Sequence, residues 1–340
     1  MIERFPTLVR RIGASARRQL VRKAGTAAIA LTALTGLHTL CLPARPTLAE
    51  DPFRNSNAQA VGENTGAAFK ALFVEGNYKA ATERLEKALS SEPDEPLVYA
   101  MKASLAYMRE DEGSFNASAT KTRETAEKLA GTNPLRGNLY TAVGHFLEGA
   151  YILEKEGTVR GTPQALNKLR LVFQHLDAAE KIAPEDPEVN LLKGYMDLML
   201  AVNLPFADPS QAMDRLEKYG SPRYLAERGI AVGHRDMKQY DRALEYINRA
   251  LAETPNNPEV HYLKAQILVK LKKEGEAKEH FQLALAKPDI LPKSLVQQIF
   301  FEECRNQRHL DKKERNCDAL RDKIREEPGI WGPSEVPRLD

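Results

Sequence analysis

Three stretches of this chain align without gaps: Ala88 to Ala103, Ala179 to Gly194 and Ala250 to Ala265. Each reads A-x4-P-x2-P-x-V-x3-K-[A/G]. Six matched positions at fixed offsets do not recur three times by chance. The physical content is a helix end, a tight turn and a helix start. The first proline (Pro93, Pro184, Pro255) stops the preceding helix. The second (Pro96, Pro187, Pro258) suits a first helical turn, where its missing N–H costs nothing. Glu188 and Glu259 follow, where the helix dipole favours an acid. Ala103, Gly194 and Ala265 are small enough to let a neighbouring helix approach closely.

The pattern extends. Ala231, Ala243, Ile247 and Ala250 reappear 34 residues later as Ala265, Ala277, Phe281 and Ala284, and Gly76, Tyr78, Ala81, Leu85, Ala88 and Pro93 repeat the second half of the unit. With Glu75-Gly76-Asn77-Tyr78 and Lys238-Gln239-Tyr240 at the turns, the chain resembles the tetratricopeptide repeat (TPR) family. The match is strong over 66–110 and 222–288 and degenerate over 113–220. Glu227 and His261 stand where the family has an aromatic residue, and a lysine stands at position 7 of three units. The resemblance implies an all-α, right-handed superhelical solenoid of antiparallel helix pairs, closed by a C-terminal capping pair.

Helix pairs are expected at 66–93, 96–131, 134–183, 187–220, 222–255 and 258–287, so the repeat array spans 66–288. The pair at 134–183 is too long for one standard unit, and its first helix is expected from Pro134 to Glu156. Gly137, Gly144 and Gly149 along that helix mark close packing or a ligand-lined insertion. Residues 50–65 read as a flexible lead-in. The cap occupies 289–327, with one amphipathic helix from Ser294 and a second opened by a capping box at Asp311-Lys312-Lys313-Glu314. A Pro-rich tail, 328–340, carries the only tryptophan, Trp331, as a lid.

Charge and composition narrow the class of job. Of 340 residues 42% are apolar and 28% charged, which excludes a disordered chain or a multispanning membrane protein. The net charge of +2 misleads, because residues 1–49 hold eight Lys/Arg and one acid; the remainder has 41 basic and 46 acidic residues. A mildly acidic mature chain argues against general nucleic-acid binding. The order within 1–49 is that of a signal peptide: basic residues up to Lys23, an uncharged run from Ala24 to Leu40, then a small Ala49 before Glu50. Export by the general or the twin-arginine route (Arg17-Arg18) remains open. A retained anchor is the rival, but Gly36, His38 and several threonines make a poor span. Leu40 is too large for a lipobox ending at Cys41. Export with cleavage implies the periplasm or the thylakoid lumen, and no membrane span after cleavage. The whole layout resembles exported cyanobacterial repeat proteins of unassigned function.

No H-E-x-x-H, C-x-x-C, G-x-S-x-G or P-loop spacing occurs, so no metal, cofactor or catalytic residue is assigned. Adjacent acids such as Glu302-Glu303 point about 100° apart on a helix and do not converge on one substrate. In the family, the first helix of each unit lines the concave surface. The matching positions here are Tyr107, Tyr195, Arg228, Val232, Arg235, Tyr262, Gln266 and Val269, types that include common interface anchors. The carboxylate-gripping set of some family members is absent. The expected function is a non-enzymatic exported scaffold that binds a protein or peptide in its groove, such as an assembly factor for an envelope or photosynthetic complex. The alternative is a carrier or sensor of a small apolar ligand within 134–183. The third reading is an enzyme assembled from distant residues, which a buried ionisable cluster in one pocket would favour.

Cys304 and Cys317 are the only cysteines beyond residue 49. Their midpoint falls in the turn expected between the last two helices, so antiparallel helices would bring them level and a disulfide would form in an oxidising compartment. A single continuous helix would instead set them on nearly opposite sides.

Overall fold

Pro96, Pro134, Pro187 and Pro258 each open a helix. The residue before each is a side-chain cap: Glu95 accepts from the Leu97 N–H, Asn133 from Arg136, Asp186 from Val189, and Asn257 from Glu259 and Val260. The structure, a computed structural model, describes residues 51–59, 61–203 and 209–339. The export segment, Cys41 and the junction before Glu50 lie outside the described residues.

The described residues form consecutive antiparallel hairpins. The first is α1 (Glu63–Phe69), continued by a π-helical turn (Lys70–Val74), with α2 (Tyr78–Ser91). Next come α3 (Pro96–Met108) with α4 (Glu112–Leu129), and α5 (Pro134–Ile182), which folds back on itself at Gly157. Gly157 has φ 72° and ψ 169°, and divides α5 into α5a (134–156) and α5b (158–182). Then follow α6 (Pro187–Asn203) with α7 (Pro209–Tyr219), α8 (Arg223–Asp236) with α9 (Tyr240–Glu253), and α10 (Pro258–Lys270) with α11 (Glu274–Ala284). The last pair is α12 (Lys293–Asp311) with α13 (Cys317–Glu326). This is an all-α, TPR-like superhelical solenoid.

The expected small residues sit where helices touch. Ala103 and Ala265 are fully buried, and a Cβ on Gly194 would lie 2.7 Å from the Leu216 side chain. Close packing also explains the glycines of α5a: a Cβ on Gly137 or Gly144 would come within 2.4 Å of Ala130 or 2.6 Å of Arg123. The Cys304–Cys317 disulfide joins α12 to α13, with the Cα atoms 5.8 Å apart.

Two expectations are corrected. The lead-in is pinned, not flexible. Phe53 is 3% exposed and meets Phe69 edge-on at 5.0 Å. Arg54 bonds Asp186 at 2.7 Å, Glu188 at 2.8 Å and Asp51 at 2.9 Å. Its charge neutralises acids at the start of α6, a helix 132 residues away, which polar composition alone does not reveal. The second cap helix is not opened by Asp311. That residue ends α12, where Lys312 turns left-handed (φ 59°), and both Asp311 carboxylate oxygens are taken by Arg315 at 2.7 and 2.6 Å. Asn316 is the true cap, accepting from Ala319 at 3.0 Å.

The superhelix also closes on itself. Asn257 Nδ2 donates to the carbonyls of Phe73 (2.9 Å) and Val74 (3.2 Å). The Tyr78 hydroxyl donates to Glu259, and Ser294 donates to the Met108 carbonyl at 2.8 Å. The first two hairpins therefore touch the last two, and the inner wall curves into a nearly closed channel.

Candidate functional site: the inner wall of the solenoid

The wall divides into two parts. Between α1, α3, α5a, α6 and α8 lies an apolar chamber of about 210 Å³, its surface formed by side chains such as Phe69, Tyr140, Phe146, Leu191 and Met199. Tyr140, Val143, Phe146 and Leu147 supply the α5a part of this lining. One ion pair borders it: Arg228 Nη2 lies 2.7 Å from Glu259 Oε2. Burial would raise the Glu259 pKa, but the Arg228 guanidinium and the Tyr78 hydroxyl oppose it, and the carboxyl is held below the usual carboxylate range.

The second part lies between α8, α10 and α12, a pocket of about 490 Å³ lined by Arg235, Gln266, Val269, Phe301, Arg305 and their neighbours. Hydrogen bonds order its floor. Arg235 Nη1 donates to Gln266 Oε1 at 2.9 Å, Gln266 Nε2 to Glu302 Oε2 at 3.0 Å, and the Tyr262 hydroxyl to Glu302 Oε1 at 2.7 Å. Beyond it, between α12 and α13, a further pocket of about 550 Å³ shares Phe301, Arg305 and His309 and reaches Lys312 and Lys313.

The eight residues expected on the concave surface separate into groups. Arg235, Gln266 and Val269 converge on the α8–α10–α12 pocket. Tyr195 and Arg228 line the apolar chamber. The Tyr195 hydroxyl donates to the Leu225 carbonyl at 2.5 Å, and burial raises its pKa. Val232 is buried in the α8–α9–α10 core, and the half-buried Tyr107 packs its ring 5.4 Å from Phe115. Tyr262 is 2% exposed. Arg228 and Tyr262, expected on the concave surface, are therefore built into the wall rather than projecting from it. Both side chains are held by inner-wall hydrogen bonds, because a tightly curved wall buries them.

The contribution of α12 was missed, since its sequence reads as a cap. A signal was present: Gln298, Glu302, Arg305 and His309 recur at helical spacing on one face, beside Phe301.

A buried ionisable cluster exists, but its groups pair with one another. Arg136 is 2% exposed and bonds Glu95 at 2.9 Å, while Glu188 accepts from Tyr140 at 2.5 Å and from Arg54. Among the described residues, no group of three or more His, Cys, Asp or Glu side chains is placed to hold a metal ion. Nor is any helix there long and apolar enough to cross a membrane.

Residues 234–299 match the family profile of the tetratricopeptide repeat. No match is found among the curated proteins. Among solved structures, the chain is similar to a thermophilic TPR protein of Thermus thermophilus (18% identity, 58% of this chain and 94% of that one, TM-score 0.39). It is also similar to the human IFIT1 dimer with m7Gppp-AAAA (17% identity, 75% and 66%, TM-score 0.41). A third is a tetratricopeptide repeat protein from Parabacteroides merdae (14% identity, 78% and 98%, TM-score 0.35).

Proposed function

We propose that this chain, which carries tetratricopeptide repeats in its C-terminal half, is an exported, non-enzymatic scaffold. It holds a segment of another protein against α8, α10 and α12. The observation that carries this reading is the convergence of Arg235, Gln266 and Val269 in one pocket of about 490 Å³. TPR folds suggest protein-interaction scaffolds, since stacked hairpins leave one long curved surface. The pinned floor is preorganised, which reduces the ordering cost of binding.

Export is supported by the order of residues 1–49 and by the Cys304–Cys317 bridge. It places the protein in the periplasm or thylakoid lumen, where an assembly factor for an envelope or photosynthetic complex would act. N-terminal sequencing of the native protein should begin near Glu50, and thiol counting under denaturing, non-reducing conditions should find almost none; a start at Met1 or two free thiols would contradict export. For the scaffold, Arg235→Ala with Gln266→Ala should abolish co-purification of the native partner at unchanged helicity. Unchanged capture would contradict the assigned surface.

A second reading, carriage of a small apolar ligand, is favoured by the chamber of about 210 Å³ on the Tyr140 face of α5a. Mass spectrometry of an organic extract of the native protein tests it: one stoichiometric apolar compound is expected, and none would reject it.

A further inference from the structure

The two pockets that share Phe301 carry a charge pattern the rest of the chain does not. Beyond residue 49 acids outnumber bases, 46 to 41. Here each lining carboxylate is already engaged. Asp236 meets Arg235 at 3.0 Å, Glu302 accepts from Tyr262 and Gln266, Glu314 lies 3.9 Å from Arg308, and Asp318 lies 3.0 Å from Arg321. Lys270, Arg305, Lys312 and Lys313 line the same pockets, are exposed, and their side-chain cations have no carboxylate partner among the described residues. Phe301 is half-buried between guanidinium groups, 5.8 Å from Arg305 and 5.2 Å from Arg321. Asn306 is 3% exposed and lines the α8–α10–α12 pocket. Its Nδ2 donates to the Glu274 carbonyl, which leaves Oδ1 buried with no hydrogen-bond partner. A buried acceptor in that state is costly unless a ligand donor reaches it.

We propose that these features form a docking site for an extended, acidic segment of a partner protein. Its carboxylates pair with Lys270 and Arg305 at one end and with Lys312 and Lys313 at the other. An apolar side chain rests on Phe301, which both pockets share, and a backbone N–H donates to Asn306 Oδ1. From Phe301 to Lys312 the helix rises about 16 Å, the reach of about five extended residues. The proposal rests on the scaffold reading and adds the chemistry of the partner. The disulfide takes part, because Cys317 lines the α12–α13 pocket and its bridge to Cys304 fixes α13 against α12.

The test is selection of a random twelve-residue peptide display library on the native protein, followed by fluorescence anisotropy of the leading peptide. Enriched sequences should carry Asp or Glu on both sides of an apolar residue, and binding should weaken steeply with salt. Lys270→Glu with Arg305→Glu should weaken it at least tenfold; Lys270→Gln with Arg305→Gln, a milder change at the same exposed positions, should weaken it less at unchanged melting temperature. Enrichment of neutral or basic peptides, or affinity within twofold after charge reversal, overturns the proposal and leaves the scaffold reading standing. A labelled oligothymidine that displaces the leading peptide and binds more tightly also overturns it. Failure to enrich any peptide on the wild-type protein overturns both.

Discussion

Asn257 donates its Nδ2 hydrogen to the carbonyl oxygen of Phe73 at 2.9 Å, across 184 residues of sequence. The same side chain caps α10 through its Oδ1. Beside this contact Gly76 is left-handed (φ 61°), and a Cβ there would lie 2.5 Å from Pro258 Cδ. Two variants separate closure from capping. Asn257→Ser keeps a cap but loses the long-range donor, and should cost about 1–2 kcal/mol. Gly76→Ala should cost at least about 1 kcal/mol from the backbone alone and push the two ends apart. Hydrogen exchange should accelerate over residues 63–74 in both variants. Unchanged protection there would mean the ring is not closed in solution.

The Arg54 latch makes a larger prediction. Arg54→Met leaves Asp51, Asp186 and Glu188 without the charge that holds them together, though Arg136 still reaches Glu188 at 3.4 Å. Removing one partner of a buried ion network costs about 3–5 kcal/mol. Urea denaturation measures it, and a loss under about 1 kcal/mol would show that the lead-in is not docked.

These two sets of contacts mark what the sequence could and could not disclose. Pro96, Pro187 and Pro258 open helices as their spacing requires, because capping is a local property of a few residues. The break after Glu156 and the Cys304–Cys317 bridge were legible for the same reason. Closure was not, since Asn257 looks like any N-cap until Phe73 and Val74 are known to face it. Arg54 was read as loose polar chain because its acids arrive 132 residues later. In the candidate site, the family resemblance implied an inner-wall position for Arg235, Gln266 and Val269. It could not show that the wall curves tightly enough to bury Tyr262, or that α12 completes the pocket. Both depend on the angle between successive hairpins, which side-chain packing along the whole array determines.

The turns make a stabilising prediction. Lys238 and Lys272 occupy left-handed backbone at φ 62° and 59°, the conformation that Gly76 adopts in the first hairpin. A non-glycine residue there costs about 1–2 kcal/mol, partly offset by the greater unfolded-state freedom of glycine. Lys238→Gly and Lys272→Gly should each stabilise the fold by about 0.5–1 kcal/mol, visible as a rise in melting temperature. A fall in either would contradict the turn geometry.

Glu303 gives a pH dependence. Burial pushes its carboxyl up to about 7, against a weak opposing pull from Lys278. The folded form therefore keeps its proton where the unfolded chain, titrating near about 4.3, has lost it. Stability contributed by the protonated group is fully present below about pH 4 and is lost as pH rises through 7, by an amount on the order of 3–4 kcal/mol at pH 8. Glu303→Gln should remove this decline and be the more stable protein at pH 8. Urea melts of both proteins at pH 5 and pH 8 check it; parallel pH dependences would contradict the burial of this group.

The central claim is that the inner wall at α8, α10 and α12 receives another protein. A photoreactive p-benzoylphenylalanine placed at Val269, on that wall, or at Leu283, half-exposed on α11, tests it in the native compartment. The account predicts that irradiation cross-links position 269 to one discrete partner and that position 283 yields none. Equal cross-linking from both positions, or none from 269 when 283 captures a partner, would contradict it.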